Sequence, residues 1–450
     1  MLLFFFFYGA LFASTANGSR HTSQPGAIEQ WWGGSHLAGN WWGNRQFLEG
    51  RGLDLGGSFS AVYHGVAPSR VGGDSIFCHC VSLTAAFDFE KMLGFGGLSG
   101  RAGIQWQTGR DINRRRVGAG HAFSPAAFAG HWRWQLRPVD LIYVTPRLFG
   151  IKEFFTIAGG WQNPKDHLML QSSASLFQNC AFGGGGGLLA NGVAFDGSHL
   201  AWGGYARVRP TSWSHVQVGL WGAVPEGLSW RGRGAHFRLA RPFKHSRIFA
   251  MGEMGITTGL GAALLPGKYV VGSFYWGVPN RSFLGATYPG QLGFYWQADQ
   301  MLYREEATVL VDESQRRLEL NAGVSRGVSA RPQQGLYSFW CVSHAPKFSS
   351  IIPFFLRAGL LYKGPIPGWD KDELGIAFAF GNCSHYSVLA RHTQGRFLQK
   401  TSEAIWEVDY RFQANKWLHV QPFLEYFFRP SSNSRFQDAL VLGASVRLTF

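Results

Sequence analysis

The end of the chain alternates between two kinds of side chain. Every second position from 440 to 450 is apolar: Leu440, Leu442, Ala444, Val446, Leu448 and Phe450. Because successive side chains of a β-strand point to opposite faces, these residues share one face. A strand of this kind that finishes on an aromatic residue is typical of a transmembrane β-barrel. The C-terminal pattern therefore predicts an all-β fold that spans a membrane.

The same alternation recurs from Leu53 onward, in runs of about ten residues separated by turns or polar loops. Apolar residues such as Val408 and Tyr410 alternate with Glu407, Asp409 and Arg411. Similar runs begin near Leu53, Ile104, Leu200, Leu318 and Leu418. An exposed sheet of a soluble sandwich also alternates, so periodicity alone does not establish a membrane. Aromatic residues near the predicted strand ends favour a membrane protein, because such rings form girdles at the two membrane interfaces. These residues are Trp202, Trp221, Trp296, Trp406, Trp417 and Tyr426.

The composition agrees with a barrel. Charged residues make up 15% of the chain and aromatic residues 16%, whereas ordinary globular chains are roughly 25% charged. A barrel presents an apolar belt to lipid and keeps polar residues in its lumen, so its mean hydropathy can be near neutral. Beyond the N-terminus no run approaches the roughly 18 apolar residues that a membrane helix needs. We therefore expect one barrel domain, residues 53–450.

Two segments precede that barrel. Residues 1–16 combine a short apolar run with small residues at Ser14 and Ala16, which predicts a secretory signal peptide despite the missing basic start. The alternatives are a misplaced start codon or a buried N-terminal strand. Residues 17–52 contain Trp and Gly among polar residues, and a short helix is expected from Trp42 to Glu49, ended by Gly50. This segment is expected on the periplasmic side.

Basic residues outnumber acidic ones, 42 to 27, for a net charge of +15. In a soluble protein this balance would suggest nucleic acid. Here the basic residues are spread at strand-like spacing and no nucleic-acid module is recognisable. We therefore expect a positive lumen and no nucleic-acid partner.

The five cysteines are Cys78, Cys80, Cys180, Cys341 and Cys383. An odd number in an exported protein suggests an unbridged thiol or pairing between chains. Cys78-His79-Cys80 resembles half of a metal site, but no second pair lies at ligand spacing. We expect a loop thiol or a disulfide, and neither a metal nor a cofactor.

Two glycine-containing motifs offer little chemistry. Residues Gly183 to Gly187 lack the Lys and Ser/Thr of a phosphate loop, so a flexible loop is expected. Gly323 to Gly327 matches a nucleophile elbow around Ser325. That motif needs a strand, a turn and a helix, whereas Ser325 lies on the polar face of a predicted strand. We therefore expect no enzyme.

Several segments, in order, resemble the carbohydrate-selective porins of the OprB type from Gram-negative outer membranes. The most specific are G-F-Y-W-Q-A-D-Q-M-L-Y at Gly293–Tyr303 and G-L-L-Y-K-G-P-I-P-G-W-D-K-D-E-L-G-I-A-F-A-F-G at Gly359–Gly381. Supporting matches lie at Gly39–Leu55, Trp161–Leu168, Gln178–Gly183, Tyr205–Thr211, Trp417–Pro430 and Asp438–Gly443. Asn40 stands where the family usually has an acidic residue, and Gly100–Lys165 matches only loosely.

The resemblance implies an antiparallel barrel of about 16 strands with partly inward-folded outer loops. It also implies passive diffusion of sugars and other small polar solutes through the bacterial outer membrane. One alternative is a pore that prefers anions or phosphorylated solutes. Another is a structural or adhesive envelope protein linked by disulfides. A homo-oligomer and recognition of Phe450 by the barrel assembly machinery are further expectations.

Charged residues on the polar sides of the predicted strands are the candidates for lining the pore. They are Arg207, Arg209, Glu319, Arg357, Lys363, Arg391, Glu407, Asp409, Arg411, Glu425 and Arg447. For each, the simpler interpretation is a solvated wall residue paired across strands, since lumen residues tune selectivity near a constriction. The arginine run Arg114, Arg115 and Arg116 is the candidate for a constriction loop. Asp299 and Asp370, within the family-like motifs, are expected in packing and turns.

Overall fold

Sixteen antiparallel strands form one closed barrel, as predicted. The computed structural model describes residues 31–32, 34–67, 73–110, 112–125, 130–183, 185–193, 200–223, 247–262, 264–305, 334–393, 401–432 and 436–450. The strands are β1 (Leu53–Val66), β2 (Asp74–Asp88), β3 (Leu98–Gly109), β4 (Gly130–Val144), β5 (Phe155–Gln162), β6 (Ala201–Thr211), β7 (Ser214–Ala223), β8 (Arg247–Leu260), β9 (Leu265–Trp276), β10 (Gln291–Arg304), β11 (Gly335–His344), β12 (Phe354–Lys363), β13 (Glu373–Asn382), β14 (Ser402–Gln413), β15 (Leu418–Phe428) and β16 (Ala439–Thr449).

The barrel closes by pairing its first and last strands. In β1, Ser58 lies opposite Thr449 of β16. Just beyond, the backbone N–H of Gly57 donates to the Phe450 carbonyl at 2.8 Å, and the N–H of Phe450 donates to the Gly57 carbonyl at 2.9 Å. No strand edge is therefore left open at this seam.

The predicted alternation is confirmed in the strand walls. In β14, Val408 is 38% exposed on the outer face, whereas Glu407 and Asp409 are fully buried inside. The aromatic girdle prediction holds for Trp296 and Trp406, which are exposed outside. It is wrong for Trp221, which shares the inner face of β7 with Gln217 and donates to Gln162 at 3.3 Å.

Helical structure is limited to short pieces. The helices are α1 (Asn44–Gly50), α2 (Phe89–Leu93), α3 (Gly186–Ala190) and α4 (His385–Thr393). A π-helical turn occurs at Asn113–Val117. Short 3₁₀ helices occur at Trp41–Gly43, His121–Phe123, Pro164–Asp166, Ser173–Leu176 and Pro430–Ser432. Two small ribbons pair Arg147–Leu148 with Ile151–Lys152, and Asn280–Arg281 with Thr287–Tyr288. Across the described ranges, no helix has the length and apolar character needed to cross a membrane.

The connections alternate between the two ends of the barrel. The end that holds the start of β1 and the finish of β16 is called the terminal end, and the opposite end is called the loop end. At the terminal end, three connections are short: 212–213, 261–264 and 414–417. At the loop end, the longest connection is 163–200, which follows β5. Residues 163–193 of that connection fold into the barrel and are called the inward loop.

The segment before β1 packs against the terminal end. The rings of Trp31 and Trp32 lie 5.0 and 5.4 Å from that of Trp417, which explains why Trp417 is buried and not part of a lipid-facing girdle. Arg45 of α1 is buried and donates to the Leu55 carbonyl at 3.0 Å. The helix predicted from Trp42 is confirmed, beginning at Asn44.

Three predictions fall on residues outside the described ranges. They concern the signal peptide at residues 1–16, the strand beginning at Leu318 with Glu319, and the motif around Ser325.

Candidate functional site: the lumen and its inward loop

The first half of the inward loop is bound to the wall formed by β8, β10 and β11. The backbone N–H of Met169 donates to Glu253 Oε2 at 3.0 Å. The side-chain amide of Gln171 donates to the carbonyls of Ala298 and Trp340, at 3.0 and 2.8 Å. These contacts bring the chain away from the loop end and down against the inner wall.

Arg357 of β12 holds the same loop by its guanidinium. Its Nε and Nη2 donate to Gln171 Oε1 at 3.0 and 2.6 Å. Its Nη1 donates to the consecutive carbonyls of Ala181, Phe182 and Gly183 at 3.3, 2.9 and 2.5 Å. Arg357 has no exposed surface. A buried cation of this kind is tolerable because its donors are matched by acceptors.

The middle of the inward loop is bound to a different wall, that of β14 and β15. Glu407 accepts hydrogen bonds from the backbone N–H groups of Gln178 at 2.6 Å and Asn179 at 3.1 Å. The Asn179 side chain donates to Glu425 at 2.9 Å. Gln421 donates to the Leu176 carbonyl at 2.6 Å. The loop thus crosses the lumen and is bound on two walls.

An apolar cluster fills the space under the loop. The ring of Phe177 lies 5.2 Å from that of Phe182 and 5.5 Å from that of Phe339 on the wall. Phe123, from the connection between β3 and β4, lies 5.7 Å from Phe355. All of these rings are nearly or fully buried. The inward loop is therefore packed as a core element, which differs from the exposed, mobile loops usual at a barrel rim.

The glycine run forms the end of this packed region. Gly186 and Gly187 begin α3, contrary to the expectation of a flexible loop throughout Gly183–Gly187. A Cβ atom on Gly186 would lie 2.2 Å from the Ala181 carbonyl oxygen, and one on Gly187 would lie 2.8 Å from Ser343 Oγ. The glycines are needed because the backbone approaches its neighbours too closely for a side chain.

Four candidate pore residues lie inside but under the loop. Arg357, Glu407, Asp409 and Glu425 have no exposed surface. Their burial corrects these four pore-lining candidates, since alternation determines which face a side chain occupies but not what covers it. Glu407 and Glu425 also lie directly opposite each other on β14 and β15.

A second group of candidates remains accessible in the lumen. Arg447 of β16 is exposed, and its electrostatic neighbours among the described residues are Arg411, Arg137 and the thiol of Cys80. Arg411 also pairs with Glu373, with Nη1 2.7 Å from Oε2. Arg137 of β4, Arg411 of β14 and Arg447 of β16 are called the basic group; Arg447 is exposed and the other two are half-buried.

The remaining strand candidates lie nearer the terminal end. Arg207 and Arg209 of β6 share Glu153, at 3.8 and 3.5 Å. Lys363, the last residue of β12, lies 3.9 Å from Glu373 and 5.0 Å from the ring centre of Tyr337. These pairs fit the simpler interpretation of wall residues paired with neighbours.

The other candidates lie away from the strand walls. Arg391 is in α4 at the loop end, which corrects its expected position on a strand. The backbone of Arg114 and Arg115 follows the wide turn Asn113–Val117 between β3 and β4. In the same turn, Arg116 lies 3.4 Å from Asp74 at the loop end of β2. Asp299 accepts a hydrogen bond from the N–H of Ser173 at 3.2 Å, a packing role as expected.

Sequence reasoning did not identify the residues that position the loop. Gln171 and Asn179 lie in no strand, and Glu253 lies on β8, yet each is buried and bonded across the lumen. One signal was available, because Asn179 falls in the family-like segment Gln178–Gly183. Its amide bonds Glu425 and the Phe123 carbonyl, at 2.9 and 3.0 Å, joining two loops to one wall.

A further buried network lies on the other side of the lumen. Arg101 and Asp140 form two hydrogen bonds, at 2.8 and 2.9 Å. Gln162 donates to the same carboxylate at 3.0 Å, and His167 of the inward loop lies 3.2 Å from the Arg101 guanidinium. The start of the inward loop is therefore linked to β3 and β4 as well.

Of the two expected alternatives, a loop thiol or a disulfide, the structure agrees with the first at Cys180 of the inward loop. No disulfide joins any two of the five, and Cys78 and Cys80 lie on β2. Four of them are buried, while Cys180 in the inward loop is half-buried. Within the described part of the chain, no group of three or more His, Cys, Asp or Glu residues could hold a metal ion.

Comparison with known proteins gives consistent matches. The profile of the family described as carbohydrate-selective porin, OprB family, matches residues 79–450. Porin B of Pseudomonas aeruginosa is 23% identical over 474 residues, covering 98% of this chain and 97% of that protein. The high-pH structure of Pseudomonas putida OprB covers 93% of this chain and 99% of its own, with a TM-score of 0.77 at 19% identity. The low-pH structure gives 0.54 at 17% identity, with coverage of 92% and 98%.

Proposed function

The chain belongs to the OprB family of carbohydrate-selective porins, and from this premise we propose how its lumen selects solutes. The protein is a porin of the bacterial outer membrane that passes sugars. We propose that small saccharides pass beside the inward loop, along the wall that carries Arg137, Arg411 and Arg447. Arg411 joins this wall to the loop, since its guanidinium donates to the carbonyls of Ser175 and Leu176 at 3.3 and 3.4 Å. The observation that carries this proposal is the exposure of Arg447 on the inner wall beside the bound loop.

The proposed passage has the chemistry that a hydrated sugar needs. Guanidinium groups donate hydrogen bonds to hydroxyl oxygens, and Glu373 and backbone carbonyls accept from hydroxyl protons. Such contacts replace part of the sugar's hydration at a low free-energy cost. Because each hydrogen bond exchanges readily with water, the sugar stays bound only briefly. A solute must leave as easily as it enters, so weak and distributed contacts suit passive diffusion.

A second candidate function follows from the basic group itself. Three arginines in electrostatic contact on one wall would attract anions, including phosphorylated sugars. Excess fixed charge in a narrow passage raises the local concentration of counterions. This observation favours an anion preference as the alternative selectivity of the same pore. The disulfide-linked structural alternative has less support, because four of the five thiols are buried.

Five finer points are also proposed. We infer that residues 1–16 are a signal peptide and that 17–52 cap the barrel from the periplasm, with the terminal end facing that side. Recognition of Phe450 by the barrel assembly machinery and assembly into a homo-oligomer are consistent with the fold. The constriction role of Arg114, Arg115 and Arg116 is retained as a proposal, since their turn lies at the loop end.

The test is planar-bilayer conductance together with liposome swelling. Wild-type protein should conduct in KCl, show block by glucose or maltose, and support swelling in glucose. Strong anion selectivity without sugar uptake would instead establish the alternative. A chain that folds but neither conducts nor permits swelling would overturn both pore proposals.

A further inference from the structure

A cavity of about 470 Å³ lies at the loop end, above the inward loop. Its walls include the finish of the inward loop and three connections, between β3 and β4, between β9 and β10, and between β11 and β12. The loop-end residues of β14 and its neighbours also contribute. A solute that enters from the loop end would reach this cavity before the inward loop. The volume falls within the range of about 300 to 1,000 Å³ usual for small-molecule sites.

One wall of the cavity presents a buried carboxylate. Glu403 is 2% exposed, and its Oε1 accepts hydrogen bonds from the N–H groups of Gly120 and Ser431, both at 2.9 Å. Among the residues that the structure describes, its partners are these backbone groups and include no cation. A carboxylate oxygen can accept further bonds, so Glu403 has acceptor capacity directed at the cavity.

The remaining walls combine an aromatic side chain with fixed amides. Trp276 is 7% exposed and lines the cavity, and its position is set by edge contact with Phe249 at 5.6 Å. Gln291 is held by a bond to the Asn191 carbonyl and receives one from Asn280 at 2.9 Å. Apolar residues such as Ile351 complete the lining. An apolar lining with a few fixed polar groups is characteristic of ligand sites.

We propose that this cavity is an entry site for a neutral saccharide of one or two rings. A sugar hydroxyl donates to Glu403, and the C–H face of the ring packs on Trp276. An anionic solute is disfavoured here because it would meet Glu403 without a compensating cation. The inference rests on the proposed sugar porin, to which it adds a binding step before the constriction.

The experiment measures block of single-channel current by glucose and maltose added from the loop end. Glu403→Gln keeps an oxygen for the two N–H groups but replaces the other carboxyl oxygen with an amide nitrogen that only donates, and should raise the half-blocking concentration about tenfold. Trp276→Leu should act similarly, whereas Trp276→Phe should stay near wild type because it keeps an aromatic face. Block in each variant is expressed relative to that variant's own conductance in KCl without sugar.

Matched controls are Glu90→Gln in α2 and Trp296→Leu on the outer wall, both exposed and far from the cavity. Ile351→Trp gives an independent variant, since Ile351 is 45% exposed at the cavity rim and a larger side chain there should obstruct the site without disturbing the fold.

Unchanged block in Glu403→Gln and in Ile351→Trp overturns the entry site, and so does a wild-type channel that passes saccharides without saturable block. If Glu403→Gln does not fold, Ile351→Trp decides the matter. A wild-type channel that passes no saccharide at all overturns the proposed function as well.

Discussion

Arg357 and Gln171 are joined by two hydrogen bonds to one oxygen, from Nε at 3.0 Å and from Nη2 at 2.6 Å. Gln171 in turn donates to the carbonyls of Ala298 and Trp340. A residue of β12 thus fixes a loop residue that also binds β10 and β11. The barrel wall therefore determines where the inward loop lies.

Replacing Arg357 with Met should release the inward loop. The change removes the donor to Gln171 Oε1 and to the carbonyls of Ala181 and Phe182, while the Gly183 carbonyl keeps the N–H of Gly186 at 2.9 Å. We expect a cost of about 3 kcal/mol or more in loop docking. We expect a larger single-channel conductance in KCl and faster liposome swelling in maltose relative to glucose. Arg281→Met, at an exposed arginine of a small ribbon, is the control. Wild-type conductance in Arg357→Met would show that the loop is held without this side chain.

Glu407 and Glu425 should respond differently to substitution. Glu407→Ala leaves two backbone N–H groups unpaired and should destabilise the folded barrel by about 1 to 3 kcal/mol. Glu425→Gln retains an acceptor for Asn179 and removes one of two buried carboxyl groups that face each other across strands, so stability should be unchanged or increased. The measurement is the temperature at which the folded band converts to the unfolded band in gel electrophoresis. An equal decrease of this temperature in both variants would contradict the different roles assigned to Glu407 and Glu425.

Arg447 should contribute to the charge selectivity of the pore. It is exposed in the lumen beside two other arginines, so Arg447→Gln should lower the preference for chloride over potassium by about twofold or more. The reversal potential in a KCl gradient measures this ratio. Arg209→Gln is the comparison, because Arg209 already lies 3.5 Å from Glu153. An identical shift in both variants would mean that selectivity reflects total charge and not the basic group.

Two glycines of one run provide a sharp test of close packing. In Gly186→Ala the new methyl group would lie 2.2 Å from the Ala181 carbonyl oxygen, so α3 must move. In Gly183→Ala the nearest atom would lie at an ordinary 3.5 Å. We expect increased conductance and current noise in the first variant and wild-type behaviour in the second. Noise of equal size in both would indicate that the run is loosely held.

The cysteines should differ in their reactivity. Cys180 is half-buried in the inward loop and the other four are buried, so a methanethiosulfonate reagent should label one thiol in the folded protein and five after unfolding. Mass spectrometry gives both numbers, and Cys180→Ser should abolish labelling of the folded form. Disulfide-linked species on a non-reducing gel, persisting in Cys180→Ser, would contradict this assignment.

Sequence periodicity is sufficient to predict the strands of the barrel wall but not the contacts inside the barrel. The alternation around Val408 assigns Glu407 to the inner face correctly, because side-chain direction in a strand is local. The partner of Glu407 is the backbone of Gln178 and Asn179, far away in the chain, and no local pattern carries that information. The same reason explains why the sequence does not show that Arg357 is covered by the loop. Trp221 is different, because its strand-end position suggests a girdle while the alternation with the exposed Val218 and Leu220 puts it inside.

The glycine run shows a related difficulty. Gly183 to Gly187 has the composition of a flexible linker, yet Gly186 is required by a backbone oxygen 2.2 Å from the place of its absent side chain. Composition alone does not distinguish a glycine chosen for mobility from one chosen for lack of space. The family-like segment Gln178–Gly183 was the better guide, because it includes Asn179 at the centre of the loop's contacts.

The pairing of Ser58 with Thr449 has a consequence for biogenesis. Each other pair of neighbouring barrel strands is consecutive along the chain and can form a hairpin locally, but β1 must wait for β16. Completion of the cylinder is therefore one late event that needs nearly the whole polypeptide. Until then β1 and β16 each carry an unsatisfied edge that another chain could occupy. A cell that makes this porin in quantity must keep that interval short or shield the two edges while it lasts.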